Sequence, residues 1–112
     1  MTARPWSPAA TFAALLLCAP LALSACGQAR NESVALQFQG MKDQLADVEQ
    51  TPDRTAVEQV LDDCMRDARE GRITTFEAAM FKPRFKTVIK DGRIGETEFL
   101  DLQAEYQAMI AE

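Results

Sequence analysis

Residues 51–71 read TPDRTAVEQVLDDCMRDAREG. This stretch holds the start, the body and the stop of one helix. Thr51 is a capping residue type, Pro52 suits the first helical position, and Asp53 places negative charge at the positive helix end. Val57, Val60, Leu61, Cys64, Met65 and Ala68 then recur at i, i+3, i+4, i+7, i+8 and i+11, one face of a 3.6-residue turn. Gly71 stands where a helix commonly ends on a left-handed glycine. The chain around it follows the same period.

Toward the N-terminus, Val34, Phe38, Met41, Leu45 and Val48 are spaced four, three, four and three, a seam on one helix face. Ser33 is an N-cap candidate. Gly40 interrupts that helix at about 1 kcal/mol against Ala, and offers room for a second backbone. Toward the C-terminus, Thr75 to about Lys90 carries Phe81, Phe85, Val88 and Ile89 on one side, with Pro83 inside, where it should kink or split the helix. A last pattern starts at Glu96 and places Phe99, Leu102, Tyr106 and Met109 three, four and three apart. The nearest approach to a strand is Phe85–Ile89 before Asp91-Gly92, which leaves a hairpin as the other reading of that stretch. The expected fold is all-α, a small bundle of three or four short helices.

The chain has 112 residues, which bounds it to one domain. It carries 12 basic and 17 acidic side chains and no histidine. The acidic balance argues against nucleic acid as a partner, because phosphate neutralisation by Lys and Arg supplies that affinity. Without histidine the commonest general base and metal ligand is missing. No cofactor is expected.

From Phe12 to Leu23 the sequence is FAALLLCAPLAL, uncharged and preceded by Arg4 as the one charged side chain. Twelve residues fall short of the ~20 needed to span a bilayer. They suit the apolar core of a signal peptide. The run ends in Leu23-Ser24-Ala25-Cys26, which resembles the lipobox of bacterial lipoproteins. The resemblance covers residues 1–26 and implies diacylglyceryl transfer to the Cys26 thiol, cleavage before Cys26, and acylation of the new amino terminus. Gly27, rather than Asp, implies sorting to the outer membrane of a double-membrane cell, facing the periplasm. An ordinary cleaved signal peptide and an uncleaved anchor helix are the other readings. On the lipoprotein reading, residues 1–25 are the signal peptide, 26–33 are the lipidated cysteine and a flexible polar tether, and 34–112 are the helical domain.

Two stretches repeat: Glu70-Gly71-Arg72-Ile73-Thr74-Thr75-Phe76-Glu77 and Asp91-Gly92-Arg93-Ile94-Gly95-Glu96-Thr97-Glu98. Acid-Gly-x-Ile-x-x-x-Glu resembles the second half of an EF-hand calcium loop, which makes Asp91 and Glu98 candidate ligands. The first half fails. Counting back from the glycines, loop positions 1 and 3 fall on Thr87 and Ile89, and on Arg66 and Ala68. Helix punctuation explains the same residues more fully. Thr74 and Glu77 make a capping box, and Gly95 and Glu98 stand in the same relation.

Of the remaining candidates, Cys64 lies on the apolar face of its helix and reads as a buried, inert thiol. Asp62, Asp63 and Asp67 read as a solvated acidic face. Lys82, Lys86, Lys90 and Arg93 are spaced four, four and three, a basic stripe beside Phe81 and Phe85 in an acidic chain. That stripe is the candidate surface for an anionic envelope surface or an acidic protein partner. The expected function is non-catalytic: a membrane-anchored envelope lipoprotein with a structural or adaptor role. The alternative is an ion- or ligand-binding periplasmic module built on the EF-hand-like turns.

Overall fold

The structure, a computed structural model, describes the backbone of residues 8–111 and the side chains of residues 26–111. Arg4 and the side chains of the apolar run Phe12–Leu23 lie outside the described residues, so the signal-peptide features are a matter of sequence alone. The described chain is helical throughout: α1 (Pro8–Gln44), a short 3-10 turn (Leu45–Asp47), α2 (Pro52–Arg69), α3 (Thr75–Ile89) and α4 (Glu96–Ile110). No strand occurs among the described residues, and Phe85–Ile89 is helical rather than half of a hairpin. None of the helices searched is long and apolar enough to cross a membrane. The chain divides into two compact units, Met1–Arg30 and Asn31–Glu112.

The second unit is an all-α bundle built on the predicted seams. Val34, Phe38, Met41, Leu45 and Val48 are all buried, although α1 ends at Gln44 and the last two reach the core from the turn beyond it. Val57, Val60, Leu61, Cys64, Met65 and Ala68 join them from α2. α3 adds Ala78, Phe81, Phe85 and Val88, and α4 adds Leu102, Tyr106 and Met109. Phe38 and Phe81 meet edge to face with ring centroids 5.5 Å apart, the arrangement that sets a ring's positive rim against its partner's negative face. α4 packs against both α2 and α3.

The helix ends follow the punctuation of the sequence. The Thr51 hydroxyl accepts a 3.0 Å bond from the Arg54 N–H, with Pro52 at the first helical position. Gly71, at φ +79°, closes α2 in a Schellman arrangement: its N–H donates to Ala68 O and that of Arg72 to Asp67 O. Thr74 and Glu77 form the reciprocal capping box that starts α3. At α4 only half of that device exists, since Gly95 has no side chain; Glu98 Oε1 accepts from the Gly95 N–H. Ile73 and Ile94, each just before an N-cap, are buried in the core.

Four expectations are corrected. Residues 27–33 are not an irregular tether but helical turns of α1. Gln28, Ala29, Arg30 and Glu32 are good helix formers. Within the bundle, Glu32 pairs with Arg69 at 2.9 Å, and the Asn31 amide lies over Gly71. Ser33 is therefore inside the helix, not at its cap. Gly40 neither interrupts α1 nor admits a second backbone, for nothing lies within 4 Å of where its Cβ would be. Pro83 does not split α3. It lies on the exposed side, and the Thr87 hydroxyl donates to its carbonyl at 3.0 Å while Phe81 and Phe85 are anchored in the core on either side.

Candidate docking face

Helix α3 brings Lys82, Lys86 and Lys90 to one exposed edge of the bundle, one turn apart. Among the described residues no carboxylate lies within 4.0 Å of any of the three ammonium groups. Arg93 does not extend the stripe. α3 ends at Ile89, and the chain turns through Gly92 at φ +76°, which places Arg93 in the connection, 3.8 Å from Glu49. Of the four predicted positions, three form the stripe.

The apolar neighbours of the stripe also differ from expectation. Phe81 and Phe85 are fully buried. The exposed ones are Phe76 and Met80, at 72% and 55% of their accessible surface. At about 100° per residue, the strip carrying Phe76, Met80 and Pro83 adjoins the lysine strip. Phe76 and Met80, with Glu77 of the same helix and Glu105, Ala108 and Met109 of α4, line a shallow groove. The outer side of α3 is thus apolar in its first two turns and cationic along its flank. The signal was present in the sequence. Phe76 and Met80 are four apart and lie off the Phe81–Phe85–Val88 seam.

The acidic cluster of α2 is not a solvated face. Asp62 receives a 2.8 Å bond from Lys42, which fastens α2 to α1 and raises the Lys42 pKa. Asp63 pairs with Arg66 at 3.2 Å. Asp67 is 1% exposed. Its Oδ2 accepts a short hydrogen bond from the Tyr106 hydroxyl of α4, while its Oδ1 has no hydrogen-bond partner. The guanidinium groups of Arg66 and Arg72 stand 3.6 and 3.7 Å from that second oxygen, close enough to balance the buried charge. Burial, and secondly the bond to Asp67, push the Tyr106 hydroxyl up to about 12. The arrangement links α2 to α4 through a charge that the core would otherwise exclude.

Cys64 is buried, as its place in the α2 pattern predicts. Burial, and next the charges of Asp67 and Asp63, push its thiol well above the ordinary range, which suppresses the nucleophilic thiolate. Cys26 is exposed. The two candidate calcium ligands stand on either side of the α4 N-cap. Asp91 is exposed in the turn, and Glu98 spends an oxygen on the Gly95 N–H at the start of α4. Among the described residues no group of three or more Cys, Asp or Glu side chains is gathered as a metal site.

Comparison with family models, with curated proteins and with solved structures gives no match for this chain.

Proposed function

We propose that this chain is a bacterial envelope lipoprotein, held at a membrane through acylated Cys26, whose helical bundle has a non-catalytic adaptor role. The address rests on Leu23-Ser24-Ala25-Cys26 at the end of a charge-free run. The adaptor role is supported by one observation above the others: α3 presents three lysines with no carboxylate within 4.0 Å among the described residues, beside exposed Phe76 and Met80, in a chain of net charge −5. A bundle that had only to fold would not need that surface. Cys64 and Asp67, the residues whose chemistry would otherwise suggest catalysis, are both committed to the interior, one as a raised thiol and one as a partner of Tyr106. Gly27 after the modified cysteine supports the periplasm-facing leaflet of an outer membrane, where the producing cell has one.

The address is tested by growing cells with an alkyne fatty acid. The protein is expected to take the label and to fractionate with membranes, and a Cys26→Ala variant to lose the label. Label retained in that variant would refute acylation at Cys26. The adaptor role is tested by a photoreactive residue in place of Lys86, expected to form adducts with whatever the face docks on in intact cells. An absence of any protein or lipid adduct would refute the role of this face.

A further inference from the structure

The bundle begins at Asn31, five residues beyond Cys26. Five residues reach at most about 18 Å. On the lipoprotein reading, on which this inference rests, the bundle is therefore held within one helix length of the lipid surface. Asn31 lies over Gly71, Glu32 pairs with Arg69, and Gly71, Arg72, Thr74, Glu77, Met109 and Ile110 line one shallow depression. The first residues of the bundle thus share an end with the start of α3. Phe76 stands in the first turn of α3 beside that end, and Lys82, Lys86 and Lys90 follow at successive turns away from it.

The charges at that shared end are already engaged. Arg69 pairs with Glu32, and Arg72 lies near both Glu70 and Asp67. The α3 lysines are not engaged in this way. Their arrangement is the one an interfacial helix uses: apolar side chains that enter the headgroup boundary, and lysines whose stems lie along it while the ammonium groups meet phosphate. We propose that the outer face of α3 docks on the anionic phospholipid surface of the membrane to which the chain is anchored, with Phe76 and Met80 inserted and Lys82, Lys86 and Lys90 against headgroup phosphates. The anchor makes this contact intramolecular, so a face too small to recruit a soluble protein suffices to orient a tethered one. Of the carboxylates beside Phe76 and Met80, Glu77 accepts from the Thr74 N–H and Glu105 pairs with Arg84 at 3.3 Å, while the acidic remainder of the bundle is repelled by the same surface.

The test uses the mature protein purified from membranes. Its intact mass establishes whether Cys26 is acylated. A Met80→Cys variant carries an environment-sensitive fluorophore; Cys64 is buried and stays unlabelled, and Gln59→Cys on α2 is the control. The protein is placed in vesicles of phosphatidylcholine alone or with phosphatidylglycerol, each containing a nitroxide lipid. Position 80 is expected to be quenched in the anionic vesicles, little quenched in the neutral ones, and released at about 0.5 M salt, while position 59 stays bright. Each lysine near such a surface is worth about five-fold, so Lys82→Gln, Lys86→Gln and Lys90→Gln together shift the bundle about a hundred-fold toward the undocked state. Equal quenching with and without anionic lipid overturns the proposal. So does a position 80 that nitroxide lipid never reaches but that a copurifying protein shields, since the face then belongs to a protein partner. A mass without acyl chains refutes the anchor and overturns the proposal with it, whereas acylated protein whose position 80 is not quenched in anionic vesicles overturns the docking alone.

Discussion

Replacing Tyr106 with Phe removes one oxygen and leaves a buried carboxylate without its hydrogen bond. Asp67 is 1% exposed, and among the described residues Tyr106 supplies the one direct hydrogen bond to its carboxylate, since the arginine groups lie at 3.6 and 3.7 Å. A hydrogen bond to a charged group contributes about 1.5–3 kcal/mol, and its loss inside a core falls at the upper end of that range. The Tyr106 hydroxyl is pushed up to about 12 from its usual 10, first by burial and second by the bond to Asp67. A phenol whose folded pKa is raised contributes stability that is complete below pH ~10, its unfolded value, and lost as pH climbs through ~12. The expected result of urea unfolding, followed by circular dichroism, is a gap of about 2–3 kcal/mol between parent and Tyr106→Phe at pH 7, with a melting point lower by on the order of 10 °C. The gap should close between pH ~10 and ~12, because the variant has no phenol to ionise, while other groups titrate alike in both proteins and cancel. A gap below about 0.5 kcal/mol at neutral pH, or one that stays constant to pH 12, would refute the reasoning.

Gly71→Ala and Gly92→Ala both force a Cβ into a left-handed backbone, at about 1 kcal/mol or more each. Gly71→Ala should cost more in the same unfolding assay, because its Cβ would come within 3.3 Å of the Asn31 amide while that of Gly92 meets nothing; equal costs would contradict that packing. The Cys64 thiol should resist a maleimide in the native protein and react in urea, as burial and the neighbouring aspartates suppress its thiolate; full labelling without denaturant would contradict its place in the core. Millimolar calcium should leave the melting point unmoved, since Glu98 caps α4 and Asp91 stands alone in its turn. A reproducible rise with calcium would mean that the folded state binds it and would restore the EF-hand-like reading of these turns.

The helices were legible because every level of the sequence agreed on them. In α2 the cap, the first-turn proline, the apolar period and the closing glycine mark one element, and all six apolar positions are buried. The same holds for the two helix starts at Thr74 and Gly95, where a local hydrogen bond between residues three apart decides the geometry. Local rules failed where a neighbour distant in sequence decides. Residues 27–33 lack large apolar side chains and read as a tether, yet Glu32 finds Arg69 and Asn31 finds Gly71. Pro83 reads as a break, yet Phe81 and Phe85 are held in the core on either side of it. Along the outer side of α3, the lysine spacing was sufficient for Lys82, Lys86 and Lys90 and misleading for Arg93, because it assumed that the helix continued through Gly92.

Asp67 marks the limit of composition as a guide to the surface. Three aspartates within six residues read as one solvated face, but at about 100° per residue Asp62 stands about 140° from Asp67 and Asp63 about 40° from it. Asp62 lies beyond one edge of the apolar arc, toward Lys42. Asp63 lies beyond the other edge, within reach of Arg66. Asp67 is seven residues, about two turns, beyond Val60, and so stands at the margin of the arc beside Val60. At that margin α4 covers Asp67 as well as Val60, and a buried carboxylate demands a donor. Tyr106, on the α4 seam and with the one phenolic hydroxyl in the chain, is the residue able to supply it while remaining part of the core. The same argument explains the positions of Arg66 and Arg72: both keep their guanidinium groups half in water and near Asp67 Oδ1, so the charge is balanced without burying a second ion. A polar residue at the margin of an apolar arc is thus a candidate for a tertiary partner, and here it ties α2 to α4.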